Sequence, residues 1–317
     1  MNRMSRQSSP PLEVQVLREG IVESTHKAHI AACDERGRIL ASAGDPEFGT
    51  FIRSSLKPFQ ALSITTTGAL DQFNLTDKDL AIICSSHKGN LEQVRQAFNI
   101  LWRCDVEPLA LQCPIPEGKD TPLAHCCSGK HAGMLAVCKQ RGWSLDSYTQ
   151  RSHPVQKLII SKVAELLGMP AEELICAHDS CGAPTYLMQL SQIATLFAKL
   201  ASGDNLDLER IVRAMTSYPE MISGAEGFDS QLMSLSEGAV VSKSGSEGVQ
   251  CVGRVGDGMA IAIKITDGSK RAKYATAVYL LKQLGWITPD VSEALAEKFM
   301  MPSKYTRIDV VGDMPLM

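Results

Sequence analysis

The chain has 317 residues, 44% hydrophobic and 21% charged, with a formal net charge of -3. That balance is ordinary for a globular protein with a sizeable core. Without a basic stripe, and with aromatics at only 5%, it argues against a nucleic-acid partner. No apolar run approaches the ~20 residues of a membrane helix. Residues 1–11 are polar and Pro-rich without an apolar stretch, and read as a disordered tail rather than a secretory signal. Residues 14–22 and 28–43 read as strands, the second turning at Asp34-Glu35-Arg36-Gly37. Residues 58–70 predict a helix, and 79–84 a short apolar strand running into Ser85-Ser86-His87.

A helix follows over 91–102. Gly129 breaks the chain before another over 131–140, and 154–167 predicts a helix closed by Gly168. Two more are expected over 185–200 and 206–216. Residues 239–241 and 250–265 return to strand, with Gly256-Asp257-Gly258 signalling a hairpin. The last predicted element is a helix over 270–284, stopped by Gly285. Strands at both ends with helices between predict an α+β fold, a mainly antiparallel sheet covered by helices. Residues 12–317 are expected to form a single two-lobed catalytic domain. No G-x-G-x-x-G follows a strand and no Walker loop is present, so nucleotide binding is not indicated.

Ser54-Ser55-Leu56-Lys57 is a Ser-x-x-Lys pattern. A serine hydroxyl is a poor nucleophile, and a lysine becomes its base only when burial or a nearby positive charge lowers the amine pKa. Three residues of separation let the two side chains meet, and such pairs recur in amide hydrolases. The bland alternative is an exposed polar turn. Ser86 follows an apolar segment and precedes His87-Lys88-Gly89-Asn90. It reads as a nucleophile or proton shuttle beside a possible base, or as part of a helix cap. Ile261, Ile263 and Ile265 alternate with Ala262 and Lys264, so the isoleucines are expected to face the core and Lys264 the other side. Under a covering helix Lys264 becomes a buried amine, a candidate base for Ser54 or Ser86. Lys243-Ser244-Gly245 is the nearest approach to the Lys-Thr-Gly element of penicillin-recognising enzymes, and its Lys and Ser suit a substrate carboxylate.

Ten cysteines without a signal peptide read as reduced cytoplasmic thiols. Cys33, Cys84, Cys138 and Cys251 sit in apolar runs and read as core. Cys127 and Cys181 sit among Gly, Ser, Asp and Lys. With Lys130 as third donor they could hold zinc and leave a position open, or they are two separate core thiols.

Six motifs in order change the weight of these readings. They are Arg53-Ser54-Ser55-Leu56-Lys57-Pro58-Phe59-Gln60, Cys84-Ser85-Ser86-His87-Lys88-Gly89, the run from His125 to Met134, Asp179-Ser180-Cys181-Gly182, the run from Pro219 to Gly224, and Lys264-Ile265-Thr266-Asp267-Gly268. Together they resemble the Rhizobium-type L-asparaginases, over about residues 14–286. The resemblance implies hydrolysis of L-asparagine to L-aspartate and ammonia, a fold related to serine β-lactamases and glutaminases, and a homodimer. It also implies two serine-lysine pairs, Ser54 with Lys57 and Ser86 with Lys264, and a zinc site on Cys127, Lys130 and Cys181 with Asp179 close by. Ser54 is then the expected attacking group, with Ser86 aiding proton transfer. The chain departs from the family pattern at Asn90, where Glu is common, at Phe228, near an Arg position, and at Cys126, where Asn is common. Hydrolysis of another amide or a β-lactam, and non-catalytic sensing of an amino acid, are the alternatives.

Overall fold

The computed structural model describes residues 9–315. Residues 1–8 of the expected tail lie outside it; Ser9 lends its carbonyl to the Gly44 N–H. The strands are β1 (Leu12–Arg18), β2 (Ile21–Asp34), β3 (Ile39–Ala43), β4 (Gly49–Phe51), β5 (Ile175–His178), β6 (Pro184–Gln189), β7 (Val240–Ser244), β8 (Val249–Arg254), β9 (Met259–Ile265) and β10 (Thr306–Val311). The main sheet runs β10-β1-β2-β9-β8-β7, with β3 paired to β2, and every pair is antiparallel. A small second sheet runs β4-β6-β5. The fold is α+β, an antiparallel sheet covered by helices. No described helix is long and apolar enough to cross a membrane.

The helices of eight or more residues are α1 (Asp77–Cys84), α2 (Leu91–Arg103), α3 (Ser128–Arg141), α4 (Pro154–Leu167), α5 (Leu190–Ala201), α6 (Leu206–Ser217), α7 (Phe228–Leu235), α8 (Lys270–Gln283) and α9 (Pro289–Phe299). β9 is buried on both faces, and its alternation sorts the two cores. Ile261, Ile263 and Ile265 join Leu280 and Leu281 of α8 in one cluster. Ala260 and Ala262 join the larger cluster, which holds α5 and the helical lobe. Small residues on that face let α5 lie close to the sheet. The expectation for the isoleucines holds.

Several elements differ from the sequence reading, beginning with the strand read over 14–22, which is divided where β1 ends at Arg18 and β2 starts at Ile21. Residues 77–84 are a helix, because Thr76 and Asp79 form a reciprocal capping box that starts one. The expected helix over 58–70 is three short turns, Lys57–Gln60, Leu62–Thr65 and Ala69–Gln72, divided before the last by Gly68 at φ +76°. The stretch read as helix from 185 begins as β6, and α5 starts only at Leu190. Helix α9 and strand β10 lie beyond the last element read from sequence. Gly129 does not break the chain ahead of α3; it sits inside the helix. A Cβ there would stand 2.1 Å from the Ile82 carbonyl oxygen of α1, so glycine permits the close crossing of α1 and α3.

Candidate active site

Ser54 lies on the 3₁₀ turn Arg53–Leu56 that follows β4. Arg53 enters this turn at φ +52°, a left-handed conformation rare outside glycine. Neighbours hold it there: its N–H donates to Thr185 Oγ1 (3.1 Å), and its guanidinium donates to Asp179 (2.8 Å) and Ser180 Oγ (3.2 Å). Strain held by surrounding bonds is a feature of positioned sites. Asp179, expected near the metal, is thus committed to Arg53.

Lys57 is buried, and its Nζ donates to the carbonyls of Ser85 and Cys126 and to Ser86 Oγ at 3.0 Å. Three acceptors around Nζ match the three N–H bonds of an ammonium. Ser86 leaves the C-terminal end of α1, its N–H held by the Ile222 carbonyl. A second amine, Lys243 Nζ on the edge strand β7, also lies 3.0 Å from Ser86 Oγ, and donates to the Ser244 carbonyl at 2.9 Å. Burial pulls the Lys243 amine down to about 8; nearby Asp229 opposes this and the Lys57 charge adds to it. Asp229 is itself buried, accepting from Ser242 Oγ (2.7 Å), the Ser244 N–H (2.9 Å) and Gln250 Nε2 (3.0 Å). Both amines are thus placed to donate to Ser86 Oγ, and only an unprotonated Lys243 could accept the Ser86 proton in return.

The structure does not bring Lys264 to Ser86. Lys264 lies on the small-residue face of β9, as expected, and burial lowers its pKa. Its Nζ donates instead to the carbonyls of Glu247 and Ile265. The amine at Ser86 is Lys243. Its signal in the sequence was the Lys243-Ser244-Gly245 motif between strand-like segments. His87 is no base for Ser86 either. Its Nδ1 accepts from the Gly89 N–H (3.0 Å), which leaves Nε2–H to donate to Ser128 Oγ (2.8 Å). Burial pushes its pKa down to about 3.

Ser54 and Ser86 line one cleft of about 720 Å³, together with His125, Cys126, Ser244, Gly245 and Lys273. Ser54 is half-buried, and its hydroxyl makes no hydrogen bond to Lys57 or to any other described residue. The hydroxyl therefore faces the cleft unengaged, whereas Ser86 is held between two amines.

Cys127 caps the N-terminus of α3, with Lys130 one turn on, and Cys181 comes from the loop between β5 and β6. Lys130 Nζ lies 3.1 Å from Cys181 Sγ, and all three expected metal ligands are buried. Hydrogen bonds from the Cys126 and Cys181 thiols hold the Cys127 thiol well below its usual range. Cys126 Sγ is 3.8 Å from Cys127 Sγ, and the ligand atoms of His125, Cys126 and Cys127 lie within 4.8 Å of one another. The arrangement offers soft donors beside a hydroxyl–amine relay. Of the three departures, Asn90 caps α2, accepting from the Gln93 N–H at 2.9 Å, Phe228 is buried against Tyr274, and Cys126 lines the cleft.

A family model described as L-asparaginase II matches residues 14–316. The chain matches no curated protein. Among solved structures it is similar to Mglu in its native form in the presence of 4.3 M NaCl, at 16% identity and a TM-score of 0.48 over 81% of this chain and 60% of that one. It is similar to Mglu in its L-glutamate binding form at 17% identity and a TM-score of 0.48, over the same 81% and 60%. A β-lactamase from Mycobacterium bovis is 12% identical with a TM-score of 0.38, over 86% of this chain and 95% of that one. The chain thus spans about 60% of the length of these two Mglu chains.

Proposed function

The chain belongs to the L-asparaginase II family, and on that basis we propose that it hydrolyses the side-chain amide of L-asparagine to L-aspartate and ammonia. The observation that carries this is the Lys57–Ser86–Lys243 hydrogen-bond chain in a cleft that the free Ser54 hydroxyl also lines. Ser54 Oγ attacks the amide carbon, and its proton enters the chain. Lys243 is the base that the chain drains to, because burial lowers its pKa to about 8. Ser86, able both to accept and to donate, then passes a proton to the departing nitrogen. Water cleaves the acyl-enzyme with the same groups in reverse. Contacts between a ligand-free serine and its base are often open and close only around substrate.

Cys127, Lys130 and Cys181 are the residues that would hold zinc. Two buried thiols and an amine form a donor set for it; Cys127, Cys181 and Asp179 raise the Lys130 pKa in the metal-free site, so Lys130 would have to give up its proton as the metal took their charge. When bound, the metal would supply a Lewis-acidic grip on the amino-acid end of the substrate, while Ser54 remains the nucleophile. Replacing Cys181 with Ser is expected to raise KM more than it lowers kcat; the opposite split contradicts this role. The test of the whole reading is ammonia release from L-asparagine by the zinc-loaded protein, with L-glutamine alongside. Lys243-Ser244-Gly245 at the cleft wall supports one second reading, hydrolysis of a β-lactam. Acylation of the protein by a labelled β-lactam, without ammonia release from asparagine, would favour it.

A further inference from the structure

The cleft has a neighbour. A second pocket of about 480 Å³ shares Ser86, Lys88, Ser244 and Lys270 with it, but extends away from His125 and Cys126 toward α7, α8 and α9. Its wall is aromatic. Tyr274 stacks on Phe228 with centroids 4.5 Å apart and planes 11° from parallel, and Phe299 meets both rings edge-on at 5.0 and 5.6 Å. Phe228 is buried beneath, whereas Tyr274 and Phe299 are only half-buried and line the pocket. Lys273 and Lys270 Nζ also stand over the Tyr274 ring, 5.1 and 6.0 Å from its centroid, so the open aromatic surface is the Tyr274 edge and Phe299, and such surface inside a cleft suits a flat apolar group.

The rim is cationic. Lys88 and Lys270 are exposed, have no salt-bridge partner among the described residues, and are near enough that Lys88 lowers the Lys270 pKa further below the value burial sets. The acids nearby are engaged: Glu226 pairs with Lys298, and Asp229 is buried under its three hydrogen bonds.

Release of ammonia needs no second pocket. In the mechanism above, on which this inference rests, Ser86 hands the proton to the leaving nitrogen, so the nitrogen stands beside Ser86. A substituent on that nitrogen then enters the pocket that opens on the far side of Ser86 from Cys126. We infer that the site accepts secondary β-amides of aspartate whose nitrogen carries a flat aromatic ring bearing a carboxylate. The ring lies against Tyr274 and Phe299, and the carboxylate meets Lys88 and Lys270. The chemistry balances as for asparagine. The Ser54 Oγ–acyl bond forms as the C–N bond breaks, the arylamine leaves with the transferred proton, and water releases aspartate.

The test compares kcat/KM for L-asparagine and for the β-(4-carboxyanilide) of L-aspartate, the second read by release of 4-aminobenzoate. The anilide is expected to exceed asparagine by about tenfold, as an aromatic contact of this kind warrants. Phe299→Ala should remove most of that advantage, losing more on the anilide than on asparagine. Phe299 also packs on Phe228, so the exposed Lys270→Gln is the second variant. It should raise KM for the carboxyanilide about fivefold and leave the unsubstituted β-anilide less affected. Cleavage of asparagine with no advantage for the anilide overturns the inference and leaves the asparaginase reading standing. Cleavage of neither amide removes both.

Discussion

Ser86 Oγ meets two amines at 3.0 Å, and the two do different work. Lys57 donates to three oxygens, while Lys243 is the amine that burial brings to about 8. A base must be neutral, so kcat/KM should fall as pH drops below about 8, with an acid limb set by Lys243. Asp229 raises the Lys243 pKa. Asp229→Asn should therefore move that limb to lower pH; a limb that stays put, or moves up, contradicts the assignment. Lys243→Met should cost about 10²–10⁴ in kcat/KM, the range for losing a general base, and Lys264→Met far less, since Lys264 binds only carbonyls of Glu247 and Ile265. The alternation of β9 told correctly which face Lys264 takes. It could not tell which of two buried lysines reaches Ser86, because that depends on the pairing of β7 with β8 and on where the helices pack α1. Lys243 was visible only as a motif fragment.

At the scale of elements, α1 and α3 carry Ser86 and the Cys127–Lys130 pair, and they approach closely because Gly129 has no Cβ to strike the Ile82 carbonyl. Gly133 continues the contact, its absent Cβ lying 3.0 Å from Ile83 Cγ2. Gly129→Ala should cost about 3 kcal/mol or more, since backbone must move. Urea unfolding would check this; an unchanged midpoint would mean the crossing is not tight. The elements that misread share a cause. Leu80-Ala81-Ile82-Ile83-Cys84 is a short apolar run with no period of its own, and only the Thr76–Asp79 box decides for helix. Residues 184–189 are strand because they pair with β4 and β5, a long-range partnership that local propensity does not see. Where periodicity was long, as over 154–167, the helix and its Gly168 cap stand where expected.

In the whole molecule the two cores meet at the site. Ser54, Lys57, Ser86, Lys130 and Cys181 come from the helical side, and Lys243 and Ser244 from the edge of the main sheet. Such a site assembles only when the helices and the edge of the main sheet are packed together. A metal held by Cys127, Lys130 and Cys181 would tie α3 to the β5–β6 loop, so added zinc should raise Tm by mass action, and Cys127→Ser should abolish that rise. An equal rise in the variant would place the metal elsewhere. The antiparallel sheet was legible because its strands alternate or form unbroken apolar runs bounded by turn residues. The meeting of helices and sheet edge at the site was not, since it is set by packing between distant segments, as with Lys243 and Ser86, 157 residues apart.

The most direct test of the amidohydrolase account is ammonia release from L-asparagine by the zinc-loaded protein and by its Ser54→Ala variant, with circular dichroism confirming that both are folded. The account predicts steady release by the unaltered protein and a loss of at least about 10³-fold in the variant. Undiminished release by folded Ser54→Ala would remove Ser54 as the nucleophile, and no release by either protein would contradict asparagine hydrolysis itself.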